Sequence, residues 1–156
     1  MLPTKIWPIE GVALGTPVAG SLAAYIASLY SANYSEGRCY PTLAAGAPIV
    51  SGITWAPSAA FAPIVPINTI AVPYHISAVV IEACDKDGSF ELAIYYGAGH
   101  TLMSTIRFAY LGGFFGNSVF LAPSILLPAN TQIDGKLATS GGVAATIAMS
   151  IIYRTL

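Results

Sequence analysis

Residues 39–81 contain no Asp, Glu, Lys or Arg, yet Pro41, Pro48, Pro57, Pro63, Pro66 and Pro73 interrupt them. An uncharged run of that length has the hydropathy of a membrane span, which needs about 20 consecutive apolar residues as a helix. Proline forbids the helix, because each ring removes a backbone donor and clashes with the carbonyl one turn back. The run 11–35 carries Gly15, Thr16, Pro17, Gly20 and Ser21, and 108–133 carries Gly112-Gly113, Gly116-Asn117, Pro123 and Pro128. A helical span is therefore not expected. An eight-stranded outer-membrane barrel fits the length, but its lumen-facing positions should be polar and a signal peptide should precede it. Met1–Pro8 has one charge, two prolines and no apolar region of the right form. The expectation is no membrane span and no signal peptide.

With lipid set aside, the surface needs another cover. The 156 residues are 55% hydrophobic and 8% charged, where a soluble domain carries about 25% charged residues. Six basic and seven acidic residues give net charge −1, which excludes a basic nucleic-acid footprint and an acidic solvating tail. Length alone points to one domain with a sizeable core. Burial against other subunits is the remaining way to cover so apolar a chain, so a homo-oligomer, a trimer or higher ring, is expected. Cys39 and Cys84 stand without CxxC or Cys/His ligand spacing and read as small buried hydrophobes rather than a disulfide or a metal site.

Composition shifts near residue 68. In 1–67, Ala, Pro, Gly and Ser dominate and no period persists, apart from short strand-like patches at Ile49–Trp55 and Lys5–Ile9. Val18, Leu22, Tyr25, Ile26 and Leu29 fit one short helix. This half reads as an extended arm lying on neighbouring subunits, because X-Pro steps favour extended backbone and flexible linkers are seldom so apolar.

From 68 to 156 the signal is alternation. Ile76–Ala83 reads as a strand with Ile76, Ala78 and Val80 on one face and Val79 and Ile81 on the other. Asp85-Lys86-Asp87-Gly88 reads as a hairpin turn rather than a calcium loop, leading into Ser89–Tyr96 with Phe90, Leu92, Ile94 and Tyr96 inward. Leu102–Leu111 places Leu102, Ser104, Ile106, Phe108 and Tyr110 opposite Met103, Thr105 and Arg107. Short strands follow at Ser118–Leu121, Ser124–Leu127 and Ile133–Thr139. A last strand, Ala145–Thr155, puts Ile147, Met149, Ile151 and Tyr153 inward against Thr146, Ser150 and Arg154, and its apolar character suits a central place. Short strands at this spacing, with turn residues between them, predict an all-β antiparallel sandwich of jelly-roll type.

Catalytic motifs are missing: there is no GxSxG, HExxH or Walker loop. Gly97-Ala98-Gly99-His100 reads as a hairpin connection rather than a dinucleotide fingerprint. His75 and His100 read as structural, and no catalytic residue, metal ligand or cofactor is expected. Aromatic residues are the better pointers. Trp7, Tyr30, Tyr34, Tyr40, Trp55, Phe61, Phe114 and Phe115 are candidate subunit or partner contacts, because aromatic side chains on loops mark interaction surfaces. Phe114-Phe115 stands out, bracketed by Gly112-Gly113 and Gly116-Asn117.

The stretch Leu127-Pro128-Ala129-Asn130-Thr131-Gln132-Ile133, its short strand to Thr139, the Ser140-Gly141-Gly142 loop and the alternating run to Arg154 resemble the closing strands of β-sandwich modules in tailed-bacteriophage virion proteins. There a hydrophobic-Pro-Ala-Gly-Thr-x-Ile turn precedes a short strand, a small-residue loop and a last strand. Asn130 stands where Gly is usual, and Asn tolerates the same left-handed backbone. The resemblance covers about residues 70–156. It implies a non-enzymatic virion structural protein, a capsid decoration, collar, adaptor or fibre subunit, made in the host cytoplasm and joined to other virion proteins. A lectin-like or adhesin module that binds carbohydrate through loop aromatics is the alternative.

Overall fold

The computed structural model describes residues 37–41, 46–112, 117–120 and 125–155, with 117–120 described through their backbone pairing. Among them the chain forms nine strands: β1 Arg38–Tyr40, β2 Ala47–Gly52, β3 Ala62–Val65, β4 Tyr74–Cys84, β5 Gly88–Tyr96, β6 Thr101–Tyr110, β7 Asn117–Phe120, β8 Ile133–Thr139 and β9 Thr146–Thr155. The all-β expectation holds. The strands make one curled sheet in the order β6-β5-β8-β2-β9-β4-β7, with β1 also on β9 and β3 also on β8.

The curl happens at β2. Residues Ala47–Val50 pair antiparallel with β9, whereas Ser51 and Gly52 pair parallel with Leu137 and Ala138 of β8. One strand thus belongs to two halves, as at the corners of orthogonally packed sheets. The parallel pair departs from the all-antiparallel expectation. The first half holds β1, β9, β4 and β7, and the second holds β3, β8, β5 and β6. Ile76, Val79, Ile81, Ile147, Met149 and Ile151 from the first join Ile64, Phe90, Leu92, Ile94, Ile133 and Leu137 from the second in one apolar cluster, with Ile49 of β2 among them.

The expected boundary at 67/68 meets no break in the described chain. β2 and β3 lie before it, and Ile49, Ile64 and Val65 are fully buried with the core. Over 46–67 the chain is part of the fold rather than an arm. Ile49–Trp55 was expected as a strand; the strand is Ala47–Gly52, after which the backbone turns at 53–55. The expected strand at Lys5–Ile9 and helix at 18–30 lie outside the described residues.

Two face assignments are corrected by bulges, each of which inserts one residue and reverses the alternation beyond it. In β4 the register slips between Ile76 and Ala78. Ile76 therefore shares the core face with Val79 and Ile81, not with Ala78 and Val80, while the Ser77 hydroxyl donates to Ile152 O at 3.0 Å. In β6 the partners of Ile94 and Tyr95 are Ser104 and Leu102, leaving Met103 as the extra residue. Met103 packs on the core and Leu102 is exposed.

Three further expectations change. The run 76–96 is not a hairpin: β4 pairs with β9 and β7, β5 with β6 and β8. Residues 85–88 cross between halves, and their polar groups are spent on the crossing. Thr146 N donates to Asp85 Oδ1, Gly112 N donates to Asp87 Oδ1, and Lys86 Nζ donates to Ala144 O. Ser150, expected outward, is buried on β9, and Val143 is exposed in the loop before that strand. Of Ser124–Leu127, the described residues contribute a single bridge from Leu127 to Tyr74. Central placement of β9 is as expected, with β1 and β2 on one side and β4 on the other.

Cys39 and Cys84 are free and half-buried, not fully buried as expected. Cys39 faces Ile152 from one side of β9 and Cys84 faces Ile147 from the other, which sets them too far apart for a disulfide. Burial raises both thiols above their ordinary pKa, and at Cys84 a hydrogen bond with the Lys86 backbone opposes it.

Candidate functional site

Phase on three neighbouring strands decides which side chains face away from the core. With Phe90, Leu92 and Ile94 inward on β5, residues Glu91, Ala93 and Tyr95 face outward. Register brings Arg107 of β6 opposite Glu91, and Asp134, Lys136 and Ala138 of β8 opposite Tyr95, Ala93 and Glu91. This outer face carries most of the polar chemistry of the second half.

The chain between β2 and β3 crosses it. Thr54 N donates to Gly141 O, Trp55 N to Thr139 O and Ser58 N to Leu137 O, so the segment follows the free end of β8 where β2 leaves it. Gly52 makes the turn feasible, since a Cβ there would collide with Ala56 O and the Pro57 carbonyl. Thr54 and Trp55 both take left-handed backbone, at φ 53° and 63°, a region costly to residues with a Cβ. The indole of Trp55 stays half-exposed, with the Arg107 guanidinium carbon 5.9 Å from its centroid. Arg107 Nε donates to Glu91 Oε2 at 2.6 Å. Trp55, Ser89, Phe90, Arg107, Phe108 and Ala109 line a shallow, open groove of about 390 Å³.

Further along, Phe61 lies flat on the His100 imidazole at 3.8 Å between centroids, and Tyr95 meets it edge-on at 5.0 Å. Lys136 Nζ stands 4.3 Å from the Phe61 centroid and donates to Ala59 O at 3.1 Å. His100 Nδ1 lies 3.1 Å from Asp134 Oδ2, and that oxygen accepts from Gln132 Nε2 at 3.0 Å. Gly97–His100 is the β5–β6 turn, as expected for a hairpin connection.

Of the candidate contact residues, the structure brings Trp55 and Phe61 to this face. Phe61 spends its ring on His100, Tyr95 and Lys136, and Trp55 remains open. Tyr40 sits elsewhere, on β1 opposite Ile151, half-buried against the core. Trp7, Tyr30, Tyr34, Phe114 and Phe115 lie outside the described residues. Tyr95, His100, Arg107, Asp134 and Lys136 were not singled out as contacts. Alternation in β5 and β6 did place Tyr95 and Arg107 outward, but nothing local shows that residues 53–61 fold over β8. Among the described residues no three His, Cys, Asp or Glu side chains come together as metal ligands.

The fold and this face define an all-β protein with a polar, aromatic outer surface on one half. No protein-family model matches the chain, and no curated protein does. Among solved structures, one of the infectious bursal disease virus Gx strain aligns over 78% of this chain and 34% of its own, at 15% identity and TM-score 0.41. The T13 particle of the same virus aligns over 78% of this chain and 32% of its own, at 14% identity and TM-score 0.41. The chain spans about a third of the length of each.

Proposed function

We propose that this protein is a non-enzymatic structural subunit of a virion, a capsid decoration, collar, adaptor or fibre component, acting through homo-oligomeric assembly and attachment to other virion proteins. The observation that carries the assembly part is apolar surface at both ends of the fold. Val50, Ile53 and Val143 are exposed on segments joined by the bonds Ser51 N to Ala145 O and Thr54 N to Gly141 O. At the other end of β8, Ile67, Val72, Ile125 and Leu126 are exposed on segments joined by Asn130 N to Ile70 O and the Tyr74–Leu127 bridge. Burying such side chains contributes about 25 cal/mol per Å², and an obligate interface of roughly 2,000 Å² or more suits a chain with so little charge. The virion assignment rests on the likeness of 127–154 to the closing strands of phage β-sandwich modules.

Light scattering on the purified protein tests assembly, with a trimer or larger ring expected. A soluble 16 kDa monomer at micromolar concentration overturns it. Electron microscopy of the native particle, with antibody against this chain, tests placement; absence from every virion preparation overturns the structural role.

A further inference from the structure

The outer face of β5, β6 and β8 stacks its charges in layers. In each acid–base pair the acid lies beneath: the Glu91 side chain is 31% exposed against 78% for Arg107, and Asp134 8% against 35% for His100. Lys136 rests on the Phe61 ring at the same surface. A chain of net charge −1 therefore turns bases outward here. Lys136 is opposite Ala93, and Arg107 is opposite Glu91 two residues away on β5. With strands about 4.8 Å apart and a rise of about 3.4 Å per residue, the two positions stand roughly 12 Å apart.

Beside Arg107 the Trp55 indole borders the open groove. Its left-handed backbone, following that of Thr54, is a strained arrangement. Trp55 is outside the apolar cluster, and its ring is left bordering the groove. Arg107 uses Nε on Glu91, and its side chain stays largely exposed.

We propose that this face binds an acidic saccharide, a pyranose bearing a carboxylate, with the sugar ring on Trp55 and the carboxylate on Arg107. Lys136 receives a second acidic unit of a longer glycan. A pyranose offers an apolar C–H face to an indole and keeps its hydroxyls hydrated in an open groove. A carboxylate takes parallel hydrogen bonds from a guanidinium whose remaining nitrogen is already fixed.

Calorimetric titration of the full chain with 3′-sialyllactose, trigalacturonate and neutral lactose tests it. At least one acidic probe should bind saturably, and lactose about tenfold more weakly or not at all. Trp55→Ala and Arg107→Gln should each weaken the acidic probe about tenfold, while Arg107→Lys, which keeps the charge and guards against a folding artefact, retains part of the affinity. Lys136→Gln should weaken trigalacturonate more than sialyllactose. Absence of acidic-sugar binding at millimolar probe, equal binding of lactose, or wild-type affinity in a folded Trp55→Ala variant each overturns the proposal.

Discussion

At Gly135 the core leaves no room for a methyl group. A Cβ there would stand 2.7 Å from Ile49 Cδ1, 3.1 Å from Ile64 Cδ1 and 3.4 Å from Leu92 Cδ1, so three strands converge on one missing side chain. Gly135→Ala should destabilise by about 1–3 kcal/mol, the usual cost of overpacking, read as a melting point several degrees lower. Tyr74 makes a different demand. It is fully buried, donates its hydroxyl to Thr131 O at 2.8 Å, and has its pKa pushed up to about 12, first by burial and then by nearby Tyr153. Only the neutral phenol is accommodated, so its contribution is complete below the unfolded value near 10 and is lost as pH rises from there through about 12. Denaturant midpoints measured across that range should fall in the wild type, and Tyr74→Phe should flatten the fall while lowering stability by about 1 kcal/mol at neutral pH. The two thiols, held protonated by burial, should react slowly with a disulfide reagent at pH 7 in the native state and quickly in denaturant.

Of the strands before residue 67, β2 ties the two halves together. It is bonded to β9 on one side and to β8 on the other, and its Ile49 is fully buried. Deleting residues through 60 should therefore unfold the chain, with loss of the cooperative thermal transition. Such an outcome was not legible in the sequence, because Ala47–Gly52 has a proline at its second position and is flanked by small residues. What makes it a strand is a partner about 100 residues away in β9. By contrast β5 was readable, since its buried residues Phe90, Leu92 and Ile94 alternate with more exposed ones, and β9 was readable in part through Ile147, Met149 and Ile151. Errors gathered where local pattern and three-dimensional pairing part company. Asp85–Gly88 has hairpin chemistry, yet Asp85 and Lys86 bond to 144–146 and Asp87 to Gly112, and the segment carries the chain to the other half. Bulges in β4 and β6 reverse a phase that no residue type announces. The candidate face was half legible for the same reason: phase gave Arg107 and Tyr95, whereas the fold of 53–61 over β8 depends on a close approach at Gly52.

For the whole molecule, scarce charge and apolar ends make association the expected state, and charge placed on those ends should oppose it. Val143→Asp, in an exposed loop, should leave the melting point within about 0.5 kcal/mol of stability while shifting light scattering toward smaller species. A variant that stays fully assembled would place the interface elsewhere. The shared strand also orders events in time. Ile49 meets its β9 partners, and both halves obtain their common member, only once residues 146–155 have been synthesised. Pairings so distant in sequence close slowly in all-β folds. During translation β2, β3 and β4 therefore emerge with their apolar faces uncovered, and the core stays open until β9 follows. Completion of the core is thus timed by β9, and a chain stalled before that strand holds β2 without its antiparallel neighbour.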